Sequence, residues 1–357
     1  MKKPDAPAYH AVSLNGDYLA GKALDLYIRR HRSIVRNMSA HQKSVMMEEF
    51  RDFISCLQES MATQNPVFLA DYTGWLKVYS SHAGRRKDYV PSHLAVLKEV
   101  TKHELPPDLG ERAGRILDSG IDSLSAVPDE IPSFIREGDP CSEIAGSCLR
   151  SLIDGDPAGA ESGIVRAEDK GVPVRDLYDR VLCPVLDETG RLWQIGKISV
   201  AQEHAVTGSV RAIINRLHER IQSEVPGAAG AKRKTVVVAC IAGETHDIGS
   251  LMVADVFRTA GWSTFHTGAD SPLESIVAMA GKQHADAVII SVTMVRHLPA
   301  VYRLIRSLRG GDDTAGVKII VGGRLFDLAP ALWKQVGADG CAAGAGQAVE
   351  TAERLTS

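Results

Sequence analysis

The sequence predicts an α and α/β protein: a helical N-terminal segment, a four-helix bundle and a C-terminal domain built on a parallel sheet. Three observations carry this. Apolar residues recur at three- and four-residue spacing as far as about residue 222, the period of helices that bury one face. Beyond residue 234 short β-branched runs alternate with amphipathic stretches, as in βα units around a parallel sheet. Polar stretches with proline or glycine at 127–140 and 226–230 separate the blocks, the second running into Lys232-Arg233-Lys234. The expected domains are 1–135, 141–224 and 234–357.

In the first block Leu19, Ala23, Leu26 and Tyr27 share one helix face, and Val45, Met46, Phe50, Phe53, Ile54 and Leu57 share another. Further helices are expected over 66–79, 92–103 and, after Pro106-Pro107, 109–124. In the second block Asp154-Gly155-Asp156-Pro157, Gly171-Val172-Pro173 and Asp187-Glu188-Thr189-Gly190 read as turns, dividing 144–222 into about four helices, enough for one bundle. The third block predicts strands at 235–240, 263–267, 287–291, 317–321 and 340–343, with helices over 248–260, 273–283, 298–308, 328–336 and 347–355. Ligands of such sheets bind beyond the carboxyl ends of the strands.

The net charge of −3 gives the chain no basic footprint, and residues 1–135 balance 17 Lys+Arg against 17 Asp+Glu, so direct DNA binding is not expected. Arg29-Arg30-His31-Arg32 and Arg85-Arg86-Lys87 read as solvated helix faces. No stretch approaches the roughly 18 apolar residues of a membrane span, and Met1-Lys2-Lys3-Pro4-Asp5 leads into polar sequence, so a cytoplasmic protein without a secretory leader is expected. The six cysteines (Cys56, Cys141, Cys148, Cys183, Cys240, Cys341) contain no Cys-x-x-Cys pair and read as small core residues.

The loop after the first strand of the third block is Ala242-Gly243-Glu244-Thr245-His246-Asp247-Ile248-Gly249, which puts His246 at the ligand end of the sheet with Glu244 two residues earlier. A neutral imidazole binds a metal through one nitrogen, while a carboxylate on the other fixes the tautomer. Alone, a polar loop histidine is more often solvated than ligating. Here Ser291-Val292-Thr293 follows the third strand and Gly322-Gly323 the fourth, with Gly261-Trp262 and Gly268-Ala269-Asp270-Ser271-Pro272 between. Together these resemble the cobalamin-binding domain family, whose signature is Asp/Glu-x-His-x-x-Gly, then Ser-x-Leu or Ser-x-Thr, then Gly-Gly.

That resemblance implies a flavodoxin- or Rossmann-like domain that binds cobalamin base-off. His246 would replace the cofactor's own dimethylbenzimidazole as the lower cobalt ligand, with Glu244 behind it. Ser291 and Thr293 would line the slot for the displaced nucleotide tail. Gly249 would let the helix start close to the tail, and Gly322 and Gly323 would leave room where a side chain would clash.

The helical block before this domain would cap the other face of the cofactor. Ser199 with Gln202 three residues on predicts a capping box, so a helix begins there with Glu203 and His204 in its first turns, and Trp193 ends the helix before it. On their own these residues read as a core anchor and a surface pair. Trp193, nine intervening residues and Glu203-His204 resemble the cap motif of CarH-type photoreceptors, in which it shields the adenosyl group of adenosylcobalamin; a flat indole and two polar groups suit a purine and ribose hydroxyls. The implied function is a light sensor in which light breaks the cobalt–carbon bond and the cap rearranges to signal to a partner protein, without an enzymatic role. The alternatives are a corrinoid methyl carrier of a methyltransferase system and a non-photochemical cobalamin-binding regulator. No winged helix precedes the cap, and Gln194 stands where CarH has the histidine that takes cobalt after photolysis, so His204 or water would take that place.

The N-terminal segment, with 69–78 as its marked stretch, loosely resembles extensions on stand-alone cobalamin sensors, including the photocobilins, which hold a bilin. Biliverdin is thus a candidate second chromophore, although Tyr72, Trp75 and Tyr79 at helical spacing read as core. A homo-oligomer is the remaining partner expectation.

Overall fold

The computed structural model describes residues 12–36, 38–128, 130–224 and 234–357. The expected leader-free N-terminus and the connector at 226–230 with Lys232-Arg233 lie outside them. The chain divides into two compact units, one ending at Glu130 and one running from Ile131 to Ser357.

The first unit is helical: α1 (Gly16–Arg30), α2 (Arg32–Val35), α3 (Ala40–Thr63), α4 (Val67–His82), α5 (Tyr89–Glu104) and α6 (Pro107–Ser123). Sequence capping sets its boundaries. Asn15 accepts the Tyr18 N–H at the start of α1, and Ser39 with Gln42 forms a reciprocal capping box at the start of α3. Leu19, Ala23, Tyr27, Phe50, Phe53, Ile54 and Leu57 are buried, as their spacing predicts.

The Arg85-Arg86-Lys87 expectation needs correction at Arg85. It lies in the turn between α4 and α5, donates to the nearly buried Glu49 carboxylate at 2.6 Å and sits over the rings of Tyr79 and Tyr89. Tyr89 donates its hydroxyl to the other Glu49 oxygen, 2.5 Å away.

His93, wholly buried beside this pair, faces Tyr27, Phe50 and Tyr89 and gives Nδ1–H to the Tyr89 carbonyl at 2.8 Å. Burial pushes its pKa down to about 4, against the pull of Glu49 and with Arg85 and His31 pushing the same way as burial. In the unfolded chain a histidine titrates near 6.5, so between about pH 6.5 and 4 the unfolded state takes a proton that the folded state refuses. Stability of this unit is therefore expected to fall as pH drops through that window, by on the order of 3 kcal/mol in total. Urea unfolding from pH 7 to 4 checks this: the slope against pH should be shallower in His93→Gln, and equal slopes would exclude the histidine as its source.

The second unit begins with the segment expected to be linker. Phe134 N–H donates to Glu188 at 3.0 Å and the Ile131 carbonyl accepts from Arg191 at 3.1 Å, so this stretch is tied to the helices that follow it. Next come α7 (Ser142–Ile153), α8 (Pro157–Asp169), α9 (Val174–Leu177), a π-helical turn (Tyr178–Leu182), α10 (Cys183–Gln194) and α11 (Val200–Glu224). Because α9, the π turn and α10 are continuous, these make four rods. The turn expected at Asp187-Glu188-Thr189-Gly190 is helix: Arg191 pairs with Glu188 within the same turn, and Thr189 Oγ1 donates back to the Val185 carbonyl at 2.6 Å, so the polar side chains are satisfied without a break. The break comes at Gly196, with φ of +68°.

The sheet contains, among the described residues, β1 (Thr235–Cys240), β2 (Ser263–His266), β3 (Ala287–Ser291), β4 (Lys318–Gly322) and β5 (Gly340–Ala342), all parallel in the order β2-β1-β3-β4-β5. Its central strands are β-branched and buried along nearly their whole length, as a sheet covered on both faces requires. Of the helices that connect and follow the strands, α12 (Ile248–Thr259) packs on α17 (Ala345–Thr356) and α13 (Leu273–Lys282) on α14 (Leu298–Gly310), while α15 (Arg324–Leu328) and α16 (Leu332–Gln335) lie against β4 and β5. The single helix expected over 328–336 is split into α15 and α16, since Pro330 disfavours helix at Ala329. The bundle and the sheet share one continuous core, from Cys141 and Leu149 through Tyr178 and Ile214 to Val236 and Phe257.

Candidate functional site

Strand order reverses between β1 and β3, and in such sheets the crevice beyond the carboxyl ends at that reversal is where a ligand fits. Cys240, Ser291, Gly322 and Ala342 stand in register across this edge, so the loops that follow β1, β3, β4 and β5 meet there. The loop after β1 is pinned at its start. Gly243, with φ of +84°, donates its N–H to Asp270 Oδ1 at 2.6 Å, and Asp270 N–H returns a bond to the Glu244 carbonyl at 2.9 Å.

Glu244 is fully buried at the centre of the site. Its Oε1 accepts His246 N–H at 3.0 Å and faces His246 Nδ1 at 2.6 Å; its Oε2 accepts the Thr293 and Met294 N–H groups at 2.8 and 3.2 Å and faces His297 Nδ1 at 3.0 Å. Burial alone would raise the Glu244 pKa, but donation from His246, His297 and the Thr293 and His246 backbone outweighs it and holds the carboxyl far below the usual carboxylate range. The same Glu244 bond raises the His246 pKa; burial and Arg296 oppose, and Glu203 adds to the rise. The His246 side chain is 55% exposed. With Nδ1 engaged by the carboxylate, Nε2 is the nitrogen left to bind a metal.

Among the other expected site residues, Ser291 and Thr293 are half-buried on the same edge, and Gly249 sits in the first turn of α12 where an added Cβ would meet nothing within 4 Å. Gly322 and Gly323 need a different explanation. A Cβ on Gly322 would come 2.6 Å from the Ala342 carbonyl oxygen, and one on Gly323 (φ +92°) 2.6 Å from that of Val292. What these glycines admit in this structure is the protein's own backbone.

In the cap, Ser199 and Gln202 form the expected box, Ser199 N–H to Gln202 Oε1 at 3.0 Å and Gln202 N–H to Ser199 Oγ at 3.3 Å, and α11 starts there. Trp193 is half-buried at the end of α10. Glu203 accepts the Thr207 hydroxyl at 3.0 Å, and the His204 side chain, 74% exposed, lies 3.4 Å from the Glu203 carboxylate. Gln194 is buried. Sequence reasoning missed the ties from cap to sheet. Arg211 of α11 forks onto Asp247, the residue after His246, with one bond of 3.1 Å. Asp255 of α12, fully buried, accepts Tyr178 OH at 2.9 Å and faces His218 Nδ1 at 2.6 Å. It also missed His297, whose only signal was its place in the loop after β3.

Comparison with known proteins finds two matches to family models, each described as B12 binding domain: one covers residues 145–218 and the other residues 234–353. Dimethylamine corrinoid protein 1 of Methanosarcina acetivorans is 27% identical over 216 residues, covering 60% of this chain and 95% of the relative. Corrinoid protein DSY3155 of Desulfitobacterium hafniense is 25% identical over 207 residues, with 58% and 94% covered. The solved monomethylamine corrinoid protein of Methanosarcina barkeri aligns over 60% of this chain and 98% of its own at 20% identity, with a TM-score of 0.46. No helix among the described residues is long and apolar enough to cross a membrane.

Proposed function

We propose that this chain, which carries two B12-binding domains, holds cobalamin base-off with His246 as the lower cobalt ligand and Glu244 as its orienting carboxylate, and that its cap reads the upper ligand of an adenosylcobalamin. The donor set fits the group: an imidazole fixed through one nitrogen, its other nitrogen outward at the sheet edge, and open space at Gly249. When bound, the group supplies a cobalt–carbon bond, light-labile in an adenosyl form and methyl-transferring in a carrier. Glu244 holds the tautomer of His246, Ser291 and Thr293 border the tail's path, and Trp193, Glu203 and His204 cover the upper face. With Gln194 buried, His204 is the exposed cap imidazole available to that face after loss of the adenosyl group. The resulting change in cap packing would be the signal to a partner protein.

The observation that carries the sensor reading is the Trp193 and Glu203-His204 set on the two helix ends flanking the turn at Gly196. The relatives favour the other reading, a corrinoid methyl carrier, because they are named corrinoid proteins. Biliverdin is not part of this proposal: Tyr72, Trp75 and Tyr79, expected as core, are half-buried, with Trp75 stacked on both tyrosines and Tyr72 edge-on to Phe53.

Affinities in the dark separate the readings. A cap that stacks on an adenosyl group should bind adenosylcobalamin about tenfold or more tighter than methylcobalamin, and Trp193→Ala should bring the two within about threefold, the worth of one aromatic stack. Free adenosylcobalamin also photolyses, so the light readout is the protein: green light should change its elution volume or its protease sensitivity near Gly196. Equal affinities for the two cobalamins in the wild type would remove the sensor reading and leave the carrier. A preference for adenosylcobalamin with no light-dependent change in the protein would make it a non-photochemical regulator.

A further inference from the structure

We propose that His297 is a positioning residue for the lower cobalt ligand, clamping Glu244 from the side opposite His246; this rests on the reading of His246 given above. The two Glu244 oxygens divide their partners by loop. Oε1 serves the loop after β1, through the His246 backbone and ring, and Oε2 serves the loop after β3, through the Thr293 and Met294 N–H groups and the His297 ring. Among the hydrogen bonds described, His297 is the side chain that holds Oε2. Without it, Oε2 keeps only two backbone donors from adjacent residues of one loop, while Oε1 keeps the backbone and ring of His246, so no side chain opposes His246 across the carboxylate.

His297 is built to resist that rotation. It closes a single 3-10 turn (Val295–His297), with its N–H on the Met294 carbonyl at 3.0 Å, and α14 starts at the next residue. Its side chain is 9% exposed. Gly243 makes room for it: a Cβ there would lie a tight 3.2 Å from His297 Nε2, on a backbone at φ +84° that already favours glycine. The turn that carries Glu244 and the turn that carries His297 are thus fitted to each other, and the carboxylate between them sets the direction of the His246 ring. A carboxylate clamped by the His297 ring as well as by backbone N–H groups presents Nε2 of His246 in one orientation; one that has lost this clamp gives the exposed ring more freedom to swing.

Three variants test this: His297→Ala, His297→Asn, whose amide N–H can stand where Nδ1–H stood, and His246→Ala. The readouts are equilibrium binding of hydroxocobalamin, the nitrogen splitting in the electron paramagnetic resonance spectrum of bound cob(II)alamin, and the ring 15N shifts of His246 in the cobalamin-free protein. His297→Ala should weaken binding by about 10- to 100-fold and lower the fraction showing axial nitrogen. It should also move the His246 ring away from a single Nδ1–H tautomer. His297→Asn should restore most of each. Wild-type behaviour in His297→Ala overturns the proposal, as does an asparagine variant that binds no better than alanine, since that would leave packing as the only role. Should His297→Ala not fold, His297→Leu against His297→Asn makes the same comparison. Loss of axial nitrogen in His246→Ala separates these outcomes from a failure of the lower-ligand reading; if that variant keeps its splitting, both fall.

Discussion

Replacing His246 by alanine is expected to cost at least about 100-fold in cobalamin affinity, about 3 kcal/mol, and to remove the spectrum of a cobalt with an imidazole below it. The size of the effect follows from the lack of a substitute. No group of three His, Cys, Asp or Glu side chains among the described residues is placed to hold a metal ion, and the nearby imidazoles are engaged: His297 on Glu244, and His266 on Ser250 Oγ at 2.8 Å. The variant is also a clean one. His246 is exposed and makes one side-chain bond, so its loss leaves Glu244 with four of its five donors and the loop in place. Glu244→Ala would be far less informative, because it would strip the partner from three backbone N–H groups at once. Binding titrations with unchanged melting behaviour check the prediction, and exogenous imidazole should restore part of the spectrum. Full retention of affinity and spectra would place the cofactor base-on or elsewhere.

The fold was largely legible because its period is: β-branched runs in the third block could only be buried strands, and all five fall within two residues of where they were expected. Legibility failed where the determinant is a bond between distant residues. Asp187-Glu188-Thr189-Gly190 carries turn residues, yet Glu188 is neutralised by Arg191 and by the Phe134 N–H, 54 residues away in sequence, and the helix runs through. The same holds at the site. Glu244 and His246 are two residues apart and could be read as a pair, whereas His297 reaches the same carboxylate across 53 residues and Arg211 reaches Asp247 across 36. Local spacing reports local geometry; the second half of the carboxylate's environment exists only once β1 and β3 lie side by side.

Gly323→Ala should destabilise the second unit by on the order of 3 to 4 kcal/mol, while Gly249→Ala should leave its stability within about 0.5 kcal/mol and act on cobalamin instead. The sequence assigns both glycines the same duty toward the tail; the structure separates them. At Gly323 the backbone is left-handed at φ +92°, which costs a residue with a side chain on the order of 1 to 2 kcal/mol, and the new methyl would stand 2.6 Å from the Val292 oxygen and 3.1 Å from its nitrogen. That strand of backbone has little freedom to yield: Val292 N–H is bonded to the Gly322 carbonyl at 3.0 Å, and its carbonyl takes the Leu325 N–H at 3.3 Å. Relieving the contact would open the turn before Thr293 and Met294, whose N–H groups hold Glu244, and overpacking of this kind costs a further 1 to 3 kcal/mol or so. At about 2–4 °C per kcal/mol for a unit of this size, the melting temperature should fall by roughly 6–16 °C. Gly249 has an ordinary helical backbone and open space in place of a neighbour, so alanine there strains nothing until a ligand tail needs the volume. Melting curves of both variants without cobalamin, followed by titration with it, decide the matter: a Gly323→Ala protein as stable as wild type would mean that the Val292 turn yields, and a Gly249→Ala protein with unchanged affinity would mean that the tail takes another path.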